Sequence, residues 1–385
     1  MKTIIFAFLF IAILLGETNH SFPQEKKPLR FYIGSYTGGS GKSKGIYFSE
    51  LDPQTGKLSP PILAAETVIP SFLAIAPNQK YLYAVNETTN FQKTKSGSIT
   101  SFAILEDGKL KEINVESSHG GAPCHIITDR EGKNLFTANY AGGSVAVLPI
   151  GANGTLQSAT SVHQHKGKSV NPQRQEAPHA HSINLDPQQH FAFVADLGLD
   201  RVMIYRWHPE THQLSPNNPD HLKLPAGSGP RHFSFHPSGK YAFVIGELSS
   251  KLFSLQYDAE SGSLKILDSA STLPENFKGD TSTAEVLVHP NGKFVYVSNR
   301  GQDSIAVFSF DAKTGKVKRV GQAKDQIRVP RNFRIDPTGK WLLVASQDGN
   351  SIQSFAIDPE SGLLKATGQI ITVGNPVCIR FLQEK

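Results

Sequence analysis

The segment Arg231 to Glu247, RHFSFHPSGKYAFVIGE, superposes without a gap on five others: Ser71 to Glu87, Cys124 to Tyr140, His181 to Leu197, Ala284 to Arg300 and Arg331 to Gln347. Such self-similarity constrains a fold more than any single motif, because each copy is one structural unit that must stack on its neighbours to bury its apolar face. Each copy alternates apolar and polar residues, breaks at a Pro/Gly turn and resumes in a run rich in Val, Tyr and Phe. That pattern predicts a β-hairpin. Four copies carry Gly-Lys at the same place in the turn, as in Asn291-Gly-Lys293.

A third strand follows each hairpin, for example Ser98 to Ile104 or Ser304 to Phe310. Then come a turn and a fourth strand. The turn recurs as Asp52-Pro-Gln-Thr-Gly56, Asp258 to Gly262, Asp311 to Gly315 and Asp358 to Gly362. Four strands repeating every 46 to 57 residues describe a propeller blade. A half-copy at the C-terminus, Pro376 to Leu382, finds its continuation at the N-terminus in Phe31 to Tyr36. The expected fold is therefore all-β: one seven-bladed β-propeller domain over residues 22–385 with four-stranded antiparallel blades. N- and C-terminal strands share one blade, which closes the ring and removes a free edge.

Lys2 and the twelve apolar residues Ile4 to Leu15 predict a secretory signal peptide over about residues 1–21, because the run is too short to span a bilayer. The cut is expected between Gly16 and Gln24. Export to the periplasm or medium follows, with no membrane attachment after cleavage. The net charge of +6 is scattered rather than blocked, which argues against nucleic acid and suits a small anionic ligand. The two cysteines, Cys124 and Cys378, fall in non-adjacent blades and are expected as unpaired thiols, and the chain is read as a monomer. Two polar connections, Ser158 to Ala177 (with His163, His165 and Arg174) and Glu275 to Ser282, exceed simple turns; such loops line a site about as often as they are merely solvated.

In a propeller the start of a blade's inner strand lies beside the end of its second strand, at one mouth of the channel. The alignment thereby predicts spatial convergence. Inner-strand starts supply His125, His179, His181, Arg231, His232, Glu285 and Arg331. Second-strand ends supply Tyr36, Asn86, Glu87, Asn139, Tyr140, Asp196, Glu247, Asn299, Arg300 and Gln347. The opposite hairpin ends are ordinary turns. A cluster of charged and imidazole groups needs a reason, since burying them unpaired is costly. Mutual pairing, as of Arg231 with Glu247, is one reason; a functional site, where perturbed groups gather, is the other.

Pro178-His-Ala-His181, Asp196-Leu-Gly-Leu-Asp-Arg201, Gly229-Pro-Arg-His232, Gly246-Glu-Leu248 and Ser298-Asn-Arg-Gly-Gln-Asp303 resemble the family of seven-bladed propeller lactonases. That family contains one type of bacterial 6-phosphogluconolactonase and fungal carboxy-muconate cyclase. The resemblance implies active residues at His179 or His181, Arg231, Glu247 and Arg300. Opening a lactone needs a base for water, here Glu247 or His181, and donors for the oxyanion, here Arg231 with His232. Arg300 or Arg201 would grip a phosphate or carboxylate. His125, Asn139, Tyr140 and Glu87 complete the expected substrate surface, and Glu285 reads equally as touching substrate or orienting a neighbour. Asp196 and Asp200 read as turn caps beside Arg201. No cofactor is expected; a Ca²⁺ site on Glu87, Glu247 and Glu285 is disfavoured by the surplus of Arg and His. A muconate-type cycloisomerase and a non-catalytic binding propeller are the alternatives, and the fold does not choose the lactone.

Overall fold

The computed structural model describes residue 4, residues 27–38 and residues 42–383. The predicted signal segment and its cleavage site lie outside the described residues apart from Ile4. The described strands form seven four-stranded antiparallel sheets. Blade 1 begins at the channel with Pro376–Phe381 and continues outward through Leu29–Ser35, Gly45–Leu51 and Ile62–Glu66. The inner strands of blades 2 to 7 are Leu73–Ile75, Pro123–Thr128, Ala180–Leu185, Pro230–Phe235, Ser282–Val288 and Pro330–Ile335. Their second strands are Tyr81–Asn86, Asn134–Asn139, Phe191–Asp196, Tyr241–Gly246, Phe294–Arg300 and Trp341–Ser346.

Closure is as expected. Pro376–Phe381 pairs with Leu29–Ser35 in a register that sets Phe31 opposite Phe381 and Ile33 opposite Ile379. It also touches the inner strands of blades 2 and 7, so the ring of inner strands is continuous. Apolar side chains fill the seams between blades: Phe31, Ile33, Leu343, Ile352 and Ile379 between blades 7 and 1, and Phe193, Phe233 and Phe253 between blades 4 and 5. Burying such surface is the main driving force for closure.

The recurring Asp-to-Gly turns explain themselves. The Asp carboxylate accepts the N–H two residues on, as in Asp52 to Gln54 at 2.8 Å and Asp311 to Lys313 at 2.9 Å. The closing glycine sits at φ near +73°, where an L side chain is strained. Its bare face also packs on a side chain of the preceding blade, Gly56 on Trp341, Gly262 on Phe191, Gly362 on Phe294 and Gly315 on Leu267. A hydroxyl of that blade donates to the glycine carbonyl, Ser354 to Gly56 at 2.8 Å and Tyr296 to Gly362 at 2.8 Å. The repeat thus carries its own inter-blade fastening.

Cys124 and Cys378 are buried free thiols in the inner strands of blades 3 and 1, with blade 2 between them.

One irregularity positions the site. In blades 3 to 7 the inner strand slips register at its start. In blade 5, Pro230 pairs with Gly246 and Phe233 with Val244, so Arg231 and His232 both leave the ladder. Bulges of this kind re-aim side chains. They turn consecutive residues of each blade into the channel instead of sending every second one into the core.

Candidate active site at the arginine mouth

Glu247 is the centre of the mouth. It follows Gly246, where a Cβ would lie 2.7 Å from the Ser228 carbonyl, so only glycine lets the strand end there. The buried Glu247 carboxylate meets Arg231 Nε at 2.9 Å and Arg300 Nη2 at 3.2 Å through Oε2, and Arg174 Nη2 at 2.7 Å through Oε1. Arg231 is 1% exposed and donates to the Ala284 carbonyl, while Arg300 Nη2 donates to the Thr283 carbonyl at 3.0 Å. Burial alone would raise the Glu247 pKa; Arg300, Arg231 and Arg174 outweigh it and hold the carboxyl at about 2. Burial, with Arg331 and Arg300 nearby, pushes the Arg231 guanidinium below its ordinary range against the pull of Glu247. Arg331 is pulled the other way: burial is outweighed by Tyr36, Glu87 and Glu247. Glu87 joins this group by accepting from Tyr36 Oη at 3.1 Å, and the Arg331 guanidinium lies 5.2 Å over the Tyr36 ring. Four arginines thus face two glutamates.

A layer of histidines lies beneath. His232 Nδ1 and Glu285 Oε1 are 2.7 Å apart, and Glu285 Oε2 accepts from Asn332. Rings of His125 and His181 stand 5.4 and 5.5 Å from that of His232. Burial and the surrounding positive charge hold His125 and His181 well below the ordinary imidazole pKa, and burial lowers His232 despite Glu285. Burial thus favours the neutral form of all three. The two histidines of Pro178-His-Ala-His181 differ in engagement. His179 stacks on Tyr140 at 4.5 Å, its Nδ1 lies 3.0 Å from the Tyr140 carbonyl and its Nε2 lies 3.3 Å from Glu176. His181 has only Cys124 Sγ, 3.6 Å from Nδ1, and its Nε2 has no side-chain partner.

Not every expected residue reaches this group. Asn139 is fully buried, and its amide donates to the Ser118 carbonyl at 2.9 Å and to Ser144 Oγ at 3.1 Å. It ties its blade together, as Asn86 and Asn299 do at the same repeat position. The reason is strand alternation: the residue before the last points into the blade, and the next, as in Tyr140, Glu247 and Arg300, points to the mouth. Arg201 opens the third strand of blade 4, opposite Asp196 and Lys223, one strand further from the channel. Asp196 and Asp200 are structural caps. Asp196 accepts from the His179 and Gly198 amides and meets His165 Nδ1 at 2.5 Å, and Asp200 accepts from Gly227 and Gly229. Arg174 comes from the Ser158 to Ala177 connection, whose length and polarity suited a site-lining loop as well as a solvated one; it gave Arg174 no particular partner.

The three glutamates of the calcium alternative are each engaged elsewhere, Glu87 by Tyr36, Glu247 by arginines and Glu285 by His232 and Asn332. Among the described residues no three His, Cys, Asp or Glu side chains are placed to hold a metal. The void among Arg231, Arg331, Glu87 and Cys124 has a volume of ≈10 Å³, the space of one water. That void is too small for an organic molecule, and the side of the mouth toward solvent is bounded by Arg174, Arg300 and Tyr140.

Fold and site together define a seven-bladed propeller with an ionic Arg/Glu cluster over neutral histidines. Residues 30–381 match the family described as lactonase, 7-bladed β-propeller, and the chain belongs to that family. It is 34% identical to a 6-phosphogluconolactonase of Bacillus subtilis, over 92% of this chain and 98% of that one. It is 34% identical to a protein of the same name from Formosa agariphila, over 79% of this chain and 86% of that one. The solved structure of a periplasmic gluconolactonase from Pseudomonas aeruginosa superposes with a TM-score of 0.86 at 33% identity, covering 93% of this chain and 99% of that one.

Proposed function

We propose that this chain hydrolyses a sugar-acid lactone at the arginine mouth, and that it is an exported protein acting as a monomer on a small anionic substrate. The observation that carries the reading is the single carboxylate of Glu247 held by three arginines beside a buried His181 whose hydrogen-bonding side-chain neighbour is Cys124 Sγ alone. Relatives named for lactone hydrolysis support the reaction class. A relative named as periplasmic, together with the apolar run Ile4 to Leu15, supports export. An exported enzyme meets unphosphorylated sugar lactones more readily than cytoplasmic phosphorylated ones.

The roles follow from charge state. Glu247, pinned near pKa 2, is too weak a base and instead fixes Arg231 and Arg300 in place. His181, kept neutral by burial and by Arg231, takes a proton from water as the oxygen adds to the lactone carbonyl carbon. The carbonyl becomes an oxyanion facing the guanidinium groups of Arg231 and Arg300, with His232 beneath. As the tetrahedral carbon collapses, the ring C–O bond breaks and the departing ring oxygen takes the proton from His181. The products are a free hydroxyl and a carboxylic acid, which gives its remaining proton to solvent and leaves as the carboxylate. Arg174 and Tyr140 cover the outer side and His179 holds Tyr140 in place; His125, Glu285 and Glu87 orient the polar groups that face substrate.

The test incubates the purified protein with δ-gluconolactone, its 6-phosphate and a muconolactone, following acid release by pH-stat against the spontaneous rate. Acceleration of a sugar lactone is the expected result. Acceleration of the muconolactone alone would replace hydrolysis of sugar lactones by the cycloisomerase-like alternative. No acceleration of any would leave a binding propeller.

A further inference from the structure

The channel opens at its other mouth into a cavity of ≈570 Å³, within the range of small-molecule sites; His125, His232 and Glu285 of the histidine layer form its floor, and the rest of its lining has no part in the proposed reaction. We infer that this cavity is a second binding site, for a small anion carrying two or more charges as carboxylates or phosphate, gripped by Arg334 and Arg380. Phe72 and His232 line both this cavity and the water-sized void at the arginine mouth, so a thin layer separates the two sites.

The case begins with the repeat. The fourth residue of each aligned copy faces the channel, and across the blades it is Ala74, Ile127, Asn184, Ser234, Leu287, Arg334 and Arg380. Five blades place a small, apolar or amide side chain there, so the fold does not require a charge. Blades 7 and 1, which are neighbours, place an arginine each. Two like charges side by side in a half-enclosed channel destabilise the protein unless something compensates them.

Glu285 attracts both only from a distance. Among the described residues neither arginine forms an ion pair. Arg380 lies over the Phe72 ring at 4.3 Å and spends one N–H on the Ile379 carbonyl at 2.7 Å. The two acids of the lining are already committed. Glu285 binds His232, Asn332 and the Val286 amide, and Asp186 accepts the amides of Gln188, His190 and Phe191. Burial, and then Arg380, pushes Arg334 down to about 10 against a partial pull from Glu285. The rest of the lining suits a hydroxylated anion: Asn184, Ser234 and Thr128 offer neutral hydrogen-bonding groups, and Arg130 adds charge at the rim. Paired guanidinium forks match phosphate or carboxylate oxygens in a way that a lone lysine does not.

Isothermal titration of the protein at low salt with inorganic phosphate, citrate, gluconate and 6-phosphogluconate tests this. Citrate or the phosphates should bind more tightly than monoanionic gluconate, and the preference between them identifies the source of the charge. Arg334→Gln and Arg380→Gln should each weaken binding about tenfold or more while keeping native circular dichroism, whereas Arg300→Ala should leave it unchanged. Failure of all four anions to bind overturns the inference. So does binding that is lost in Arg300→Ala and kept in both glutamine variants, which would assign the anion to the arginine mouth. Neither result depends on lactone turnover, so this inference and the proposed reaction can fail separately.

Discussion

Arg174 donates to Glu247 across 73 residues of sequence, its Nη2 2.7 Å from Oε1, and the same nitrogen lies 3.3 Å from Tyr140 Oη. A solvent-facing connection thereby closes over a buried carboxylate that two arginines of the propeller already hold. Arg174 is the most exposed arginine of the three.

Removing it should loosen substrate without dismantling the site. Arg174→Ala leaves Arg231 and Arg300 on Glu247, and its side chain is 40% exposed. The expected outcome is a KM for an anionic lactone raised about tenfold, with kcat and thermal stability little changed. Steady-state kinetics and a melting curve check both.

Glu247→Gln should act differently. The neutral amide leaves Arg231, 1% exposed, as a buried charge without its counter-ion. Breaking one half of a buried pair costs about 3–5 kcal/mol, so the variant should unfold at lower denaturant as well as lose activity. The depth of Arg231 is what makes this substitution costly to folding. Chemical denaturation with an unchanged midpoint would show that Glu247 does not neutralise the cluster.

Stability should fall with acid in two stages. His125, His181 and His232 have folded pKa values below the ordinary 6.5, so the unfolded chain takes up their protons first. Their neutral burial is uncontested above pH 6.5 and costs increasingly below it. Glu247 has the opposite charge type and a depressed pKa: its contribution is complete above about 4.5 and disappears as pH falls toward about 2. Melting temperatures measured from pH 8 to pH 3 should begin to drop just below 6.5 and steepen below 4.5. A flat curve down to pH 5 would mean that the three histidines are not buried in neutral form.

The repeat made the blades, their number, the shared terminal blade and the crowded mouth legible, because hairpins written six times over leave few ways to close. Arg231, Glu247 and Arg300 were found by alignment alone, since each ends or begins a strand at the same mouth. Asn139 was misjudged because neighbouring residues at a strand end face opposite ways, and only the ladder tells which one faces the channel. Arg201 looked close in sequence to Asp196 but starts a strand further out. Arg174 had no repeat position to reveal it; its partner is chosen by how a long connection folds back over the ring. Arg334 and Arg380 share an aligned position, visible only when that column is read for charge rather than for hairpin pattern.

The most direct test is kcat/KM for δ-gluconolactone hydrolysis by His181→Ala beside the unaltered protein, with folding verified by circular dichroism. Loss of general-base help from a neutral His181 predicts a fall of about 10²- to 10⁴-fold. An undiminished rate in a folded His181→Ala protein would contradict the mechanism and move the base elsewhere.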